Sequence, residues 1–180
     1  IDLPGLGNIR YDLAYGGAYY AFVDVAQFDL DCSQEYYDEL IEMGMLIKKT
    51  IAQSLIIDHP TKPEMNFLYG TIFTGSPKDS SNHSRNVCIF AEGEVDRSPT
   101  GTGVSARAAI HYARNEINIG ESITIESIIG STFSVKVDEI TTFGKYDAVI
   151  PEVRGNAFLT GKNSFWINPK DPLRNGFILR

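Results

Sequence analysis

The stretch Asp96-Arg97-Ser98-Pro99-Thr100-Gly101-Thr102-Gly103-Val104 constrains this chain more than any other. An apolar, strand-like run, Val87-Cys88-Ile89-Phe90, precedes it. Pro99 restrains the turn, because its ring fixes φ. Ala106, Ala108, Ala109 and Ala113 follow, in a segment that reads as a helix from near Thr102 to near Asn115. Such small side chains permit close packing inside a sheet or barrel. The order is therefore strand, tight turn, helix. Gly101 and Gly103 let backbone N–H groups approach a ligand. The first turn of a helix has unpaired N–H donors and partial positive charge. Together these features make a place for a small anion such as a carboxylate. Asp96 offers the opposite charge, for an ammonium or ring imino group. The plainer alternative is a simple junction with Thr100 or Thr102 as N-cap. A P-loop is excluded, since no Gly-Lys-Ser/Thr follows, and the glycine spacing is not that of a dinucleotide fingerprint.

The remaining elements surround this junction. Ile9 to Ala14 and Tyr19 to Val25 alternate like strands about Gly16-Gly17, a hairpin or tight strand bend. Asp31 and Ser33 are suitable N-caps for a first helix. Its apolar face is Leu40, Met43, Ile47, Ile51 and Leu55, spaced by three and four. Met43 and Met45 read as core filler. Strands are expected at Met65–Thr74, Asn86–Glu92, Ser122–Ile128, Thr132–Ile140, Asp147–Val153 and Phe158–Ile167. Gly75 to Ser84 is a polar loop, with His83 expected in solvent; a mobile loop beside a site is the alternative. Arg107, His111 and Arg114 form a stripe at helical spacing, read as a solvated or salt-bridged face. Many strands with two helices make an α+β chain.

Composition narrows the function. Sixteen Lys and Arg against 23 Asp and Glu leave a net charge of −7, which argues against a general nucleic-acid surface. No run is apolar enough for a membrane span, and residues 1–10 do not resemble a signal peptide. Cys32 and Cys88 form no metal or C-x-x-C spacing. Two unpaired thiols fit a reducing, cytoplasmic setting, with Cys88 a small buried hydrophobe. The chain starts at Ile1 without an initiating Met, as expected of a fragment.

Asp96-Arg97-Ser98-Pro99-Thr100-Gly101-Thr102-Gly103 resembles the D-R-S-P-C-G-T-G motif of the proline racemase family. Tyr15-Gly16-Gly17-Ala18-Tyr19-Tyr20-Ala21 is similar to the family's Y-G-G-A-F-Y-A segment, and Thr160-Gly161, Asp171-Pro172 and Gly176-Phe177 match its ending. The resemblance implies a diaminopimelate epimerase-like lobe, a mixed sheet or barrel around a central helix. Residues 1–154 would be the second lobe of a two-lobed enzyme. Residues 155–180 would be a strand and tail returning toward the first lobe. Substrate would lie in the cleft between lobes, with no cofactor or metal. A homodimer is also suggested.

Family racemases and epimerases place one cysteine on each side of the substrate Cα. The first belongs to a Met-Cys-Gly-His type motif, which this chain lacks; the second position holds Thr100. A thiol of pKa about 8.5 can serve as acid or base, whereas an unassisted threonine hydroxyl cannot. Two-base inversion then loses a partner, but elimination needs one base. The resemblance therefore implies the dehydratase branch: loss of water from a hydroxyproline-type imino acid, trans-3-hydroxy-L-proline, with the base cysteine outside this chain. Racemase or epimerase activity, or a non-catalytic binding lobe, are the alternatives. The implied roles are Asp96 to the ring nitrogen, Gly101 and Thr102 to the carboxylate through N–H groups, and Thr100 facing the substrate. Phe90 lines the ring pocket or, alternatively, is a core strand residue.

Overall fold

The structure, a computed structural model, describes residues 1–178. Strands β1 (Asp2–Leu3) and β2 (Gly7–Asn8) pair as a small antiparallel ladder. The main sheet contains β3 (Asp12–Tyr15), β4 (Tyr19–Asp24), β5 (Leu68–Gly75), β6 (Ser84–Phe90), β7 (Glu94–Val95), β8 (Ser122–Glu126), β9 (Thr132–Phe143) and β10 (Tyr146–Arg154). Its order is β10-β9-β8-β6-β5-β4-β3, with β7 paired to β6. Helix α1 (Tyr37–Ser54) connects the parallel neighbours β4 and β5, and α2 (Gly101–Ala113) connects the parallel neighbours β6 and β8.

Alternation along the central strands gives the sheet two apolar faces, because successive side chains point to opposite sides. Ala21, Val23, Phe73, Val87 and Ile89 pack with Leu40, Ile47 and Ile51 of α1. Tyr20, Phe22, Ile72 and Cys88, one residue out of phase with them, pack with Ala106 of α2. Val104 and Ala108 of α2 meet Ile123, Ile125, Val135 and Val137 of β8 and β9. The sheet curls until both of its ends reach α2, which touches β3 as well as β9 and β10. Tyr15 and Phe143 stack at 5.7 Å between ring centroids, joining the end of β3 to the end of β9. The result is a mixed sheet curled into a half-barrel around a central helix, as the α+β reading expects.

Most expected elements lie within a few residues of their observed limits. The first helix is preceded by a single 3-10 turn, Gln34–Tyr36, after Ser33. Met43 and Met45 pack against the α1 core, Cys32 and Cys88 are buried and free, and His83 is exposed. No helix among the described residues is long and apolar enough to cross a membrane.

Three expectations are corrected. Phe158–Ile167 is not a strand: residues 155–178 form no strand, and Phe158, Phe165 and Trp166 are 86%, 88% and 95% exposed. Alternation makes a strand only where an adjacent edge accepts its backbone hydrogen bonds, and no described edge does so here. Residues 179–180, the end of the expected tail, lie outside the described residues. The Arg107–His111–Arg114 stripe, expected as a solvated or salt-bridged face, pairs with carboxylates at Arg114–Asp12 and His111–Glu116 but is not solvated at Arg107 and His111, which are buried. The curled sheet covers the first two, leaving the third beyond the rim. Leu55, expected on the apolar face of the first helix, caps the end of α1 and is 36% exposed. The polar loop 76–83 leads directly into β6 at Ser84.

That loop is anchored by a buried carboxylate. Glu126, 2% exposed, accepts from Lys78 N–H, Asp79 N–H and Asn82 Nδ2, and pairs with Arg85 at 2.8 Å. Burial opposes its charge, but these donors outweigh burial and hold the carboxyl at about 2, below its ordinary 4.5. A depressed folded-state pKa stabilises above the unfolded value, and that contribution is lost as pH falls toward the folded one. The difference corresponds to roughly 3 kcal/mol. Stability from urea melts is therefore expected to fall between about pH 5 and pH 2. Glu126→Gln is expected to be less stable at neutral pH and to show a shallower acid slope. Parallel slopes for the two proteins would contradict this.

Candidate active site

The second edge of β6 is shared. It pairs with β8 at Ser84 and Arg85, and with β7 at Ile89 and Phe90. Between these pairings the edge is open, and the turn from Asp96 to Thr100 enters there. Asp96 N–H donates to the Cys88 carbonyl at 3.2 Å. Asn86 Nδ2 donates to the Pro99 carbonyl at 3.0 Å.

The turn is clamped from within. Asp96 Oδ1 accepts from Ser98 N–H at 2.8 Å, and Oδ2 accepts from the Thr100 hydroxyl at 2.9 Å. Thr100 N–H donates to Ser98 Oγ at 3.0 Å. Thr100 has φ 69° and ψ 102°. A β-branched residue at positive φ is a steric outlier, costing about 1–3 kcal/mol, and persists only where its surroundings hold it. Its side chain does not cap the helix, so the simple N-cap alternative does not describe it. Instead, Thr100 is 5% exposed, with its hydroxyl proton given to Asp96. Cys88 lies in the same core layer. Burial pushes its thiol up to about 12, and the adjacent Thr100 hydroxyl only partly counters this. The thiol is held in its neutral form at physiological pH.

Helix α2 begins directly after this turn. The Thr100 carbonyl accepts its first helical bond, from Val104 N–H at 2.7 Å. The N–H groups of Gly101, Thr102 and Gly103 therefore have no intrahelical acceptor. The two glycines do different work. A Cβ on Gly103 would lie 2.3 Å from Ile72 Cδ1, so this glycine serves packing against the sheet. A Cβ on Gly101 would meet only Phe133, at 3.9 Å, so this glycine faces open space. The Gly16-Gly17 bend sits against the same helix end. A Cβ on Gly16 would be 2.1 Å from the Thr102 carbonyl oxygen and 2.5 Å from Ala106 N. Two turns far apart in sequence thus meet through main-chain contact. Tyr20, two residues beyond Ala18 on β4, shares a 2.7 Å hydrogen bond between its hydroxyl and Thr102 Oγ1.

The structure brings Asp96, Thr100, Gly101 and Thr102 to one turn, with Phe90 at the end of β6 nearby. Phe90 is half-buried and stacks on Tyr69 at 5.8 Å, with the rings 13° from parallel. Of these residues Thr102 is exposed, Asp96, Gly101 and Phe90 are half-buried, and Thr100 is buried. Cavities of about 860 and 410 Å³ lie elsewhere, toward β3, β4 and the C-terminal half of α2, and none of the five residues lines them. Among the described residues no cluster of His, Cys, Asp and Glu is arranged to hold a metal ion. Residue-by-residue reading missed Ser98, Asn86, Tyr20 and Tyr69. A polar Asn86 in an apolar strand was the available signal for one of them.

The family model described as proline racemase matches residues 1–178. The chain belongs to the proline racemase family. A protein named trans-3-hydroxy-L-proline dehydratase from Colwellia psychrerythraea is 49% identical over the whole chain, which covers 51% of that protein. A Burkholderia multivorans relative named 3-hydroxyproline 2-epimerase is 41% identical, with 54% of it covered. Among solved structures, a hydroxyproline epimerase from Agrobacterium vitis with bound trans-4-hydroxy-L-proline superposes with a TM-score of 0.86 at 38% identity. The superposition covers 99% of this chain and 51% of the epimerase. This proline racemase-family chain thus spans about half the length of the curated relatives it matches.

The Gly16 contact makes the junction testable. Gly16→Ala places a methyl carbon against main-chain atoms that cannot rotate away, and overpacking of this kind costs about 1–3 kcal/mol. The variant is expected to melt at lower temperature than the parent. An unchanged melting curve would mean that the bend and the helix do not touch.

Proposed function

We propose that the whole protein is a trans-3-hydroxy-L-proline dehydratase and that this chain supplies one wall of its active site. The observation that carries the reading is the threonine at position 100, where the family motif has cysteine, together with its hydrogen bond to Asp96. Relatives bearing the dehydratase name, at 49% and 40% identity, support it.

The substrate carboxylate binds the N–H groups of Gly101 and Thr102, at the positive end of α2. The ring imino group faces Asp96, whose oxygens each keep a lone pair beyond the bonds they already accept. Phe90, backed by Tyr69, flanks the ring. A cysteine outside this chain removes the Cα proton, and negative charge grows on the carboxylate. Fixed N–H donors are worth roughly 3–4 kcal/mol in comparable oxyanion sites. The C3–O bond breaks as the hydroxyl, on the same ring face as the Cα hydrogen in the trans isomer, takes that proton from the cysteine thiol, and water departs. The resulting enamine tautomerises to Δ1-pyrroline-2-carboxylate. Thr100 faces the opposite side of Cα. It cannot deliver a proton there, since its own hydroxyl is far less acidic than a thiol. Inversion therefore does not compete with elimination.

Residues 155–180 belong to this reading as the segment that packs on the remainder of the protein. Exposed Phe158, Leu159, Phe165, Trp166 and Ile167 make an apolar face of the kind that marks an interaction surface. The reading also places the protein in the reducing cytoplasm, where its buried thiols stay unpaired.

The experiment is an assay of the whole protein with trans-3-hydroxy-L-proline, trans-4-hydroxy-L-proline and L-proline. Dehydration of the first with no inversion of the others is expected, and the 180-residue chain alone is expected to be inactive. Thr100→Cys is expected to slow dehydration or to open epimerisation. Inversion of proline or 4-hydroxyproline by the parent protein would overturn the proposal in favour of the epimerase activity named for the B. multivorans relative.

A further inference from the structure

A chain of hydrogen bonds runs through the interior between the α2 helix and β6, ending at the turn that carries Thr100. At its outer end Glu116 bonds His111 Nδ1. His111 Nε2 faces Arg107 Nη2 at 2.9 Å. Arg107 Nη1 donates to Asn86 Oδ1 at 3.0 Å and to Ser84 Oγ at 2.6 Å. Asn86 Nδ2 donates to the Pro99 carbonyl at 3.0 Å. Asn86, Arg107 and His111 are 1%, 6% and 8% exposed.

The guanidinium fixes the polarity of every link. Arginine donates only, so His111 Nε2 must accept, and its Nδ1 hydrogen goes to Glu116. For the same reason the Asn86 atom facing Arg107 is its oxygen. The Asn86 amide group must then face Pro99. The side chain has no alternative flip that satisfies both neighbours. Arg107 has no carboxylate partner among the described residues, so its buried charge rests on neutral acceptors, and Asn86 is one of them. Pro99 immediately precedes Thr100. Its carbonyl fixes the peptide plane that sets Thr100 at positive φ, and among the described residues no side chain other than Asn86 bonds that carbonyl.

We propose that Asn86 is a positioning residue for Thr100. Held rigid by Arg107, it pins the Pro99–Thr100 peptide and keeps the strained turn from relaxing. It touches no substrate and acts only through Thr100, so the inference rests on the dehydratase reading.

The test is a double-mutant cycle in the whole protein, assayed with trans-3-hydroxy-L-proline. Asn86→Asp retains an acceptor for Arg107, and now a charged one, but presents an oxygen to the Pro99 carbonyl. The fold is kept while the pin is lost. The expected result is a kcat lower by about 10- to 100-fold, with KM changed by less than about 3-fold. Thr100→Ala is expected to be impaired, and adding Asn86→Asp to it is expected to cost nothing further. If Asn86→Asp lowers the melting temperature sharply, the cycle is run with Asn86→Ala instead, which removes the donor without adding charge and leaves Arg107 its bonds to Ser84 and His111. Unchanged kcat in the Asn86 variants, or equal losses with and without Thr100, would overturn the inference and leave the dehydratase reading intact. Full activity of Thr100→Ala would overturn that reading of Thr100 and the inference together.

Discussion

Thr100 sits where a threonine does not rest by preference. Its positive φ is sterically costly, and four hydrogen bonds around the turn hold it there. The consequence is geometric. A turn of this shape lets the chain leave the open edge of β6 and begin α2 at once, so that the helix enters the curled sheet with its first N–H groups at the rim. The Gly16-Gly17 bend then closes on those same residues through contacts that no side chain could fit. Fold and candidate site are therefore one arrangement: the helix that fills the half-barrel also presents its unpaired first N–H groups at the rim, where the proposed function puts the carboxylate.

The clamp also shapes the chemistry. In family racemases the motif has cysteine at this place; here a hydroxyl has its proton directed to Asp96. A hydroxyl so engaged is a poor acid toward carbon. Burial pushes the neighbouring Cys88 thiol up to about 12, so it is no substitute. In the proposed function, water loss is driven by a base from another part of the protein.

Much of this was legible from residues alone. The α1 face from Leu40 to Ile51 and the alternation in β4, β5 and β6 signalled burial directly, because helix and strand periods differ. The strand–turn–helix order around Pro99 followed from local chemistry. Other features depended on tertiary context. Arg107 and His111 looked like a solvated stripe, since spacing along one helix does not reveal that a sheet curls over it. Phe158–Ile167 looked like a strand, since alternation says nothing about whether an edge is available. Ser98 acts through backbone hidden in a turn, which no pattern in the chain announces, and for Asn86 the one signal was a polar residue in an apolar strand, which does not say which group it bonds. The positive φ of Thr100 was equally invisible, because a threonine there contradicts local preference.

The central claim is that the first turn of α2, set by the Thr100 clamp, receives the substrate carboxylate. The most direct measurement is a titration of the ¹⁵N-labelled whole protein with L-proline, which carries the carboxylate and imino group but no leaving hydroxyl. The amide signals of Gly101 and Thr102 are expected to move most, in a saturable manner, and Asp96→Asn is expected to weaken the response. Saturable binding that leaves both amides unmoved while perturbing residues elsewhere would contradict the account.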